Sequence, residues 1–335
     1  MSGTRPIGIV GAGSWGTALA ICLARNGRAV RLWSVDKSEL EPLPKDRENK
    51  RFLPGCPFPD PLAIEFELPK LVADCDDLLV VVPSHGFRST LKQIAACKPK
   101  ALRLAWATKG FEIESGKLLH EVAREVFDGI PFAVLSGPTF AKEVARGMPT
   151  AVTIASNDKR FAADLAQAVA SPTFRAYTSE DLTGVEVGGT VKNIVAIGTG
   201  ISDGLGFGAN ARAALITRGL AEITRLGLKL GARPETFQGL AGLGDLVLTC
   251  TDDQSRNRRM GLGLASGKSR EQVQKDIGQV VEGFYAAEAV HVLAKRLGVE
   301  MPICEQIYRI LYEGQDPRTA VEALMGRALK SENAH

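Results

Sequence analysis

The 335-residue sequence predicts an α/β fold, a doubly wound sheet followed by an all-α C-terminal domain. Three observations lead there. A glycine-rich turn at 11–16 sits between an apolar strand-like run and a helical run. Strand-like and helical segments then alternate, the signature of a doubly wound sheet. After about residue 188 the strand-like runs stop and only helical periodicity continues. The expected domains are therefore 1–188, a dinucleotide-binding sheet domain, and 189–335, a helical domain for substrate and catalysis.

The first stretch, Ile7 to Ala20 (IGIVGAGSWGTALA), organises the rest. Ile7–Val10 reads as a buried strand, and the run from Ser14 to Arg25 is compatible with a helix. Between them Gly11, Gly13 and Gly16 have the G-x-G-x-x-G spacing of a Rossmann-type fold. In that pattern the first glycine permits the turn. The second lets a pyrophosphate approach the backbone, and the third lets helix and strand pack closely. The helix start adds free N–H groups and a positive dipole end. GLGFG at 204–208 has similar spacing but no strand before it, and reads as a loop.

Residues 29–33 (AVRLW) read as the second strand. An acidic residue near the end of this strand holds ribose hydroxyls in NAD enzymes. Here Ser34 and Val35 occupy that place, with Asp36 slightly late. The six prolines of 42–61 predict an irregular excursion. Leu78–Val82 is continuously apolar, as in a strand buried on both faces, and Pro83 stops it. Leu102–Ala107 and Phe132–Leu135 read as further strands, ending in T-K-G (108–110) and S-G-P-T (136–139). Helical segments are expected at 86–96, 115–127, 141–146 and 158–170, and added edge strands at Ala151–Ala155 and Phe174–Tyr177. Beyond 188, apolar residues at 215, 216, 220, 223, 226 and 230 recur with nearly helical period. Residues 283–297 and 303–312 read the same way.

Composition narrows the function classes. A net charge of +3 is too small to argue for nucleic acid, and no basic patch is interleaved with aromatics. No apolar run approaches the ~18–20 residues of a membrane span. Ile7–Val10 belongs to the first strand rather than to a signal peptide. The six cysteines have no C-x-x-C pair and read as reduced thiols, which fits a cytoplasmic location. The histidines (85, 120, 291, 335) have no ligand spacing, so no metal is expected.

Open parallel sheets bind ligands at the carboxyl ends of their strands. Lys109 follows one such end, and Gly137 and Thr139 follow another. Lys109 is either a solvated loop lysine or a functional cation flanked by Thr and Gly. Lys192 lies in an apolar helical run with Val191, Ile194, Val195 and Ile197. It either snorkels from a helix edge or is a partly buried ammonium able to exchange protons near neutrality. Gly242-Leu243-Gly244-Asp245 with Thr249, and Ser255-Arg256-Asn257-Arg258, form two more clusters. Arg256 and Asn257 supply donors suited to a phosphate. The alternative is a solvated charge run.

Twelve motifs make a resemblance specific. They are GAGSWGTALA (11–20), NKRFLPG (49–55), TKG (108–110), SGPTFA (136–141), GVEVGGTVKN (184–193), DGLG (203–206), NARAALITRG (210–219), GLGDL (242–246), TCT (249–251), SRN (255–257), VVEG (280–283) and MPI (301–303). In this order they resemble the bacterial-type NAD(P)-dependent sn-glycerol-3-phosphate dehydrogenases. The resemblance implies the reduction of dihydroxyacetone phosphate to sn-glycerol 3-phosphate, with a role in phospholipid synthesis. It implies Lys192 as proton donor and acceptor, Asp245 as its partner and Lys109 as a second lysine near the reacting oxygen. It implies a substrate site of Lys109, Gly137, Thr139, Lys192, Asp245, Thr249, Ser255, Arg256 and Asn257. For the cofactor it implies Gly11, Gly13, Ser14, Trp15, Gly16, Lys109, Ala141, Arg256, Val280 and Glu282. A homodimer is the expected assembly.

One departure concerns NADP against NAD. Relatives often carry a basic residue where this chain has Ser34-Val35. Lys37, Lys50 and Arg51 are the cations that could reach a 2′-phosphate instead, and a modest preference for NADPH is expected. Two other readings compete. A 3-hydroxyacid dehydrogenase would need no phosphate site at Arg256, and a dinucleotide-binding sensor would need no proton donor.

Overall fold

The computed structural model describes residues 5–328 and 331; His335 of the histidine set lies outside the described residues. The chain divides into two compact units. One runs up to Thr108 and resumes over Leu119–Leu182; the other takes Lys109–Leu118 and everything from Thr183 on. The helix Leu182–Gly204 is continuous across residue 188.

The first unit is built on a sheet of eight strands: β1 (Ile7–Val10), β2 (Val30–Trp33), β3 (Leu62–Ile64), β4 (Asp77–Val80), β5 (Arg103–Trp106), β6 (Phe132–Ser136), β7 (Thr150–Ser156) and β8 (Phe174–Ser179). Their order is β3-β2-β1-β4-β5-β6-β7-β8. β1 pairs in parallel with both β2 and β4, so the topology reverses beside it. That reversal point is where doubly wound sheets hold their ligands. All four β1 residues are buried, as are Leu78, Leu79 and Val80 of β4, which explains their unbroken apolar runs.

Two features differ from the sequence expectation. The proline-rich excursion holds the short helix Leu43–Asp46 and leads into β3, a strand that the preceding prolines conceal. β7 runs antiparallel to β6. The helix between them, Ala141–Ala145, has five residues. At ~1.5 Å per residue it rises only about 7.5 Å, too little to carry the chain back along a strand rising ~3.3 Å per residue. β7 therefore starts near the carboxyl end of β6 and returns. β8 then pairs parallel to β7 at the exposed edge.

The second unit is helical. At its centre lies Leu182–Gly204, buried from Gly184 through Ser202. A helix apolar on all sides is one surrounded by protein. Its Val187, Val191, Ile194, Val195, Ile197 and Ile201 join one core with Ile223, Leu226, Leu246, Met260, Val290 and Ile307. Gly206 and Gly208, both with φ +81°, form the tight connection to the helix Gly208–Lys229. Among the described residues no helix is long and apolar enough to cross a membrane.

The glycine turn after β1 separates into three constraints. Gly11 has φ +122°, and a Cβ there would lie 2.4 Å from the Val81 carbonyl oxygen at the end of β4. A Cβ on Gly16 would lie 1.9 Å from the Gly11 carbonyl oxygen. A Cβ on Gly13 would meet no protein atom within 4 Å. Gly16→Ala should therefore lower stability by about 1–3 kcal/mol, the usual scale of overpacking. Gly13→Ala should stay within about 1 kcal/mol, since only the helix start is affected. Chemical denaturation of the two variants checks the contrast.

Candidate functional site

In the first unit the turn residues make a backbone cradle. The helix Ser14–Arg25 starts at Gly13, whose lack of a side chain leaves its leading N–H groups without a side-chain cap. The open space over Gly13 and these donors suit a pyrophosphate, so the residues present fit a dinucleotide. Ser14 Oγ donates to the Phe52 carbonyl at 2.7 Å, and Asn49 Nδ2 donates to Ala12 O at 2.8 Å and Thr17 Oγ1 at 2.9 Å. The N-K-R-F stretch thus ties the excursion to the turn. Trp15 is half-buried beside it. Gly137, with φ +155°, has no room for a side chain: a Cβ would sit 3.0 Å from Val152 Cα. Thr139 Oγ1 donates to the Gly137 carbonyl at 3.1 Å, and Ala141 opens the next helix.

At the end of β2 the structure adds a residue. Ser34 is buried and its Oγ donates to Glu39 Oε2 at 2.7 Å. Asp36 caps the helix Lys37–Leu40 through Ser38, whose hydroxyl and N–H hold its carboxyl below the ordinary range, with Arg51 adding to the effect. Of the three cations expected near a 2′-phosphate, Lys37 pairs with Glu67 at 2.7 Å and Lys50 with Asp46 at 3.0 Å. Arg51 lies 4.8 Å over the Phe52 ring. Val35 is exposed. The Asp36-Lys37-Ser38 cap signature announces the helix that turns Glu39 back to Ser34.

The second unit gathers four predicted residues. Gly188 and Gly242 allow the wide turn Leu240–Gly244 to lie on the central helix. A Cβ on Gly188 would be 2.5 Å from the Ala241 carbonyl oxygen, and one on Gly242 would be 2.2 Å from the Phe237 carbonyl oxygen. The turn delivers Asp245, 1% exposed, to the start of the helix Asp245–Thr251. Lys192 Nζ donates to Asp245 Oδ1 and, at 2.8 Å, to Thr249 Oγ1. Thr249 in turn donates to the Asp245 carbonyl at 2.6 Å. Lys109 Nζ donates to the other carboxylate oxygen, Oδ2, at 2.7 Å.

Lys192 is therefore neither a snorkelling lysine nor a solvated one: it is 5% exposed. Burial lowers its pKa to about 7; the Asp245 charge opposes this and the Lys109 charge adds to it. For Asp245 burial pushes upward, but Lys109 and then Lys192 outweigh it and hold the carboxyl below its ordinary range. The centre contains a firm carboxylate and an ammonium poised to lose its proton near neutrality.

Arg256 and Asn257 begin the helix Arg256–Ala265, which Ser255 caps by accepting the Arg258 N–H at 3.2 Å. Asn257 is buried and is not a solvated side chain. Its Nδ2 donates to Asn193 Oδ1 at 2.8 Å, and its Oδ1 accepts the Gly283 N–H at 2.9 Å. Asn193 follows Lys192, so the two clusters share the central helix. Glu282 opens the helix Glu282–Leu297, just after Val280. Burial lowers the pKa of Arg256, opposed by the Glu282 charge, and its Nη1 reaches Gln279 Oε1 at 3.4 Å.

Comparison with known proteins decides the family. The sequence profile described as NAD-dependent glycerol-3-phosphate dehydrogenase N-terminus matches residues 6–162, and the corresponding C-terminus profile matches 181–322. The chain belongs to the NAD-dependent glycerol-3-phosphate dehydrogenase family. It is thus an oxidoreductase of the NAD(P) class. The glycerol-3-phosphate dehydrogenase [NAD(P)+] of Pseudoalteromonas translucida is 56% identical over 98% of this chain and 99% of its own length. That of Vibrio cholerae is 57% identical over 97% and 95%. The crystal structure of the Coxiella burnetii glycerol-3-phosphate dehydrogenase superposes with a TM-score of 0.95 at 48% identity, covering 97% of this chain and 99% of that one.

The end of β2 bears on cofactor choice in a dinucleotide-binding sheet. A carboxylate there repels a 2′-phosphate. Glu39→Gln keeps an acceptor for Ser34 and removes the charge. It should raise NADPH affinity relative to NADH by up to about fivefold, the scale of one partly exposed charge pair. Nicotinamide fluorescence titration with each cofactor measures it.

Proposed function

We propose that the protein reversibly reduces dihydroxyacetone phosphate to sn-glycerol 3-phosphate with NADH or NADPH, supplying the backbone of glycerophospholipids. The observation that supports this most is the buried Lys192–Asp245–Lys109 centre on the same helical unit as Arg256 and Asn257. A ketone needs a proton where its oxygen gains charge. A phosphate needs a fixed cationic anchor.

In this reading Gly11, Gly13, Ser14, Trp15, Gly16 and Ala141 hold the dinucleotide in the sheet domain, up to about residue 188. The remainder of the chain holds the substrate, with Lys109, Gly137 and Thr139 completing its site. Val280 and Glu282 contact the cofactor. The bound nicotinamide supplies a hydride to the carbonyl carbon. Lys192 donates the proton to the carbonyl oxygen, and Lys109 stabilises the negative charge growing there. Asp245 orients both ammonium groups through its two oxygens, and Thr249 fixes the direction of Lys192 Nζ. Arg256 and Asn257 bind the phosphate, converting remote binding energy into alignment of the reacting carbon. In the reverse direction neutral Lys192 accepts the alcohol proton. The enzyme works in the cytoplasm as a homodimer.

Oxidation of NADH and NADPH with dihydroxyacetone phosphate tests the reading directly. Turnover is expected with both cofactors, and a preference for a 3-oxo carboxylate would contradict it. Lys192→Met should keep the fold and cofactor affinity and lose on the order of 10²–10⁴ in kcat, the contribution of a positioned acid–base group. Near wild-type kcat in this variant would remove Lys192 from the chemistry.

A further inference from the structure

Two stretches of the family pattern, D-G-L-G at 203–206 and N-A-R-A-A-L-I-T-R-G at 210–219, have no role in the scheme above. The structure brings an acid from one and a cation from the other to a single point. Asp203 Oδ2 accepts from Arg212 Nη1 at 2.7 Å and also from Arg258 Nη1. Gly206 and Gly208 make the chain reversal that returns Arg212 to Asp203.

Arg258 is the hub. Its side chain is 10% exposed. Beyond Asp203 it donates from Nε to Asp253 Oδ1 at 2.8 Å and from Nη1 to the Cys250 carbonyl at 3.4 Å. One guanidinium thus joins the end of Leu182–Gly204, the end of Asp245–Thr251 and the turn before Arg256. Beneath it two helices meet backbone to backbone. A Cβ on Gly200 would lie 2.1 Å from the Arg258 carbonyl oxygen, and one on Gly261 would lie 2.1 Å from that of Ile197. Such a contact fixes the spacing of the helices but, being smooth, resists sliding poorly. The ion pairs to Asp203 resist it directionally.

We propose that Arg258, held by the Asp203 carboxylate to which Arg212 also donates, is a positioning residue that sets the register of Arg256 and Asn257 against Lys192. The proposal rests on the reading of Arg256 and Asn257 as the phosphate anchor. Arg258 itself faces Asp203, Asp253 and Cys250 and supplies no bond to the substrate.

The test compares Arg258→Met, Arg258→Lys and Asp203→Asn with wild type. It measures KM and kcat for dihydroxyacetone phosphate, calorimetric affinity for inorganic phosphate, and Tm. Arg258→Met should raise KM at least about tenfold, the scale of losing one charged hydrogen bond from the displaced Arg256 to the phosphate, and weaken phosphate binding in parallel, with a smaller change in kcat. Arg258→Lys should recover part of both losses, and Asp203→Asn should act in the same direction as Arg258→Met. A lowered Tm with unchanged KM and phosphate affinity would overturn the proposal, leaving Arg258 a purely structural role. Wild-type protein that fails to bind phosphate would overturn it too. If Arg258→Met does not fold, Asp203→Asn decides alone by the same readouts. Absence of wild-type turnover would sink the substrate reading, whereas the phosphate affinities would still decide the role of Arg258.

Discussion

One carboxylate shared by two lysines is the constraint on which the helical unit depends. Asp245 is buried, and a buried carboxylate without partners would cost several kcal/mol. Lys192 on one oxygen and Lys109 on the other make it tolerable. The same arrangement keeps the lysines unequal. Lys192 sits on the central helix and is nearly inaccessible, while the Lys109 side chain is 18% exposed. Burial therefore acts most strongly on Lys192, and the neighbouring Lys109 charge adds to it. One carboxylate thus holds two lysines, and burial lowers the pKa of the inaccessible one, Lys192, to about 7.

Much of the surrounding fold serves to bring these groups together. The central helix must be apolar on every side to lie in the core, yet it carries Lys192 and Asn193 consecutively. Their side chains diverge, one to Asp245 and Thr249, the other to Asn257. Glycines at 188, 200, 242 and 261 are among those that remove side chains where another segment meets that helix or folds onto it. The T-K-G segment leaves β5 and enters the helical unit, so Lys109 arrives from the sheet's chain while belonging to the other compact unit.

The sequence made some of this legible and hid the rest for physical reasons. The β1 turn could be read because each glycine performs a separate local task. The buried strands β4 and β5 were legible because strands covered on both faces need no polar alternation. β3 was obscured by Pro59 and Pro61, because three residues carry too little period to outweigh turn signals. The direction of β7 depends on the length of the helix before it, which is a tertiary matter. At the site, Lys192 stood out as a charge in an apolar run, but its partners lie 53 and 57 residues away in the chain and local pattern could not pair them. Glu39 was missed because the second strand was searched at its end rather than one helical turn beyond. Arg258 looked like part of a charge run, and only the fold shows that it is buried.

Burial, set against a shared carboxylate, makes the Lys192 proton labile near neutrality. The direct measurement is an NMR titration of lysine ammonium resonances, with Lys192 assigned by its loss in Lys192→Met. An unfolded lysine titrates at about 10.4, and the folded group is expected at about 7. Between these values the unfolded chain holds a proton that the folded chain has shed. Stability from this group therefore rises with pH across the window, and the proposed proton donation from Lys192 predicts that ketone reduction slows above the midpoint and alcohol oxidation quickens. Burial against the shared carboxylate requires a midpoint near 7 that moves lower in Asp245→Asn. A Lys192 ammonium that titrates in the ordinary lysine range would contradict it.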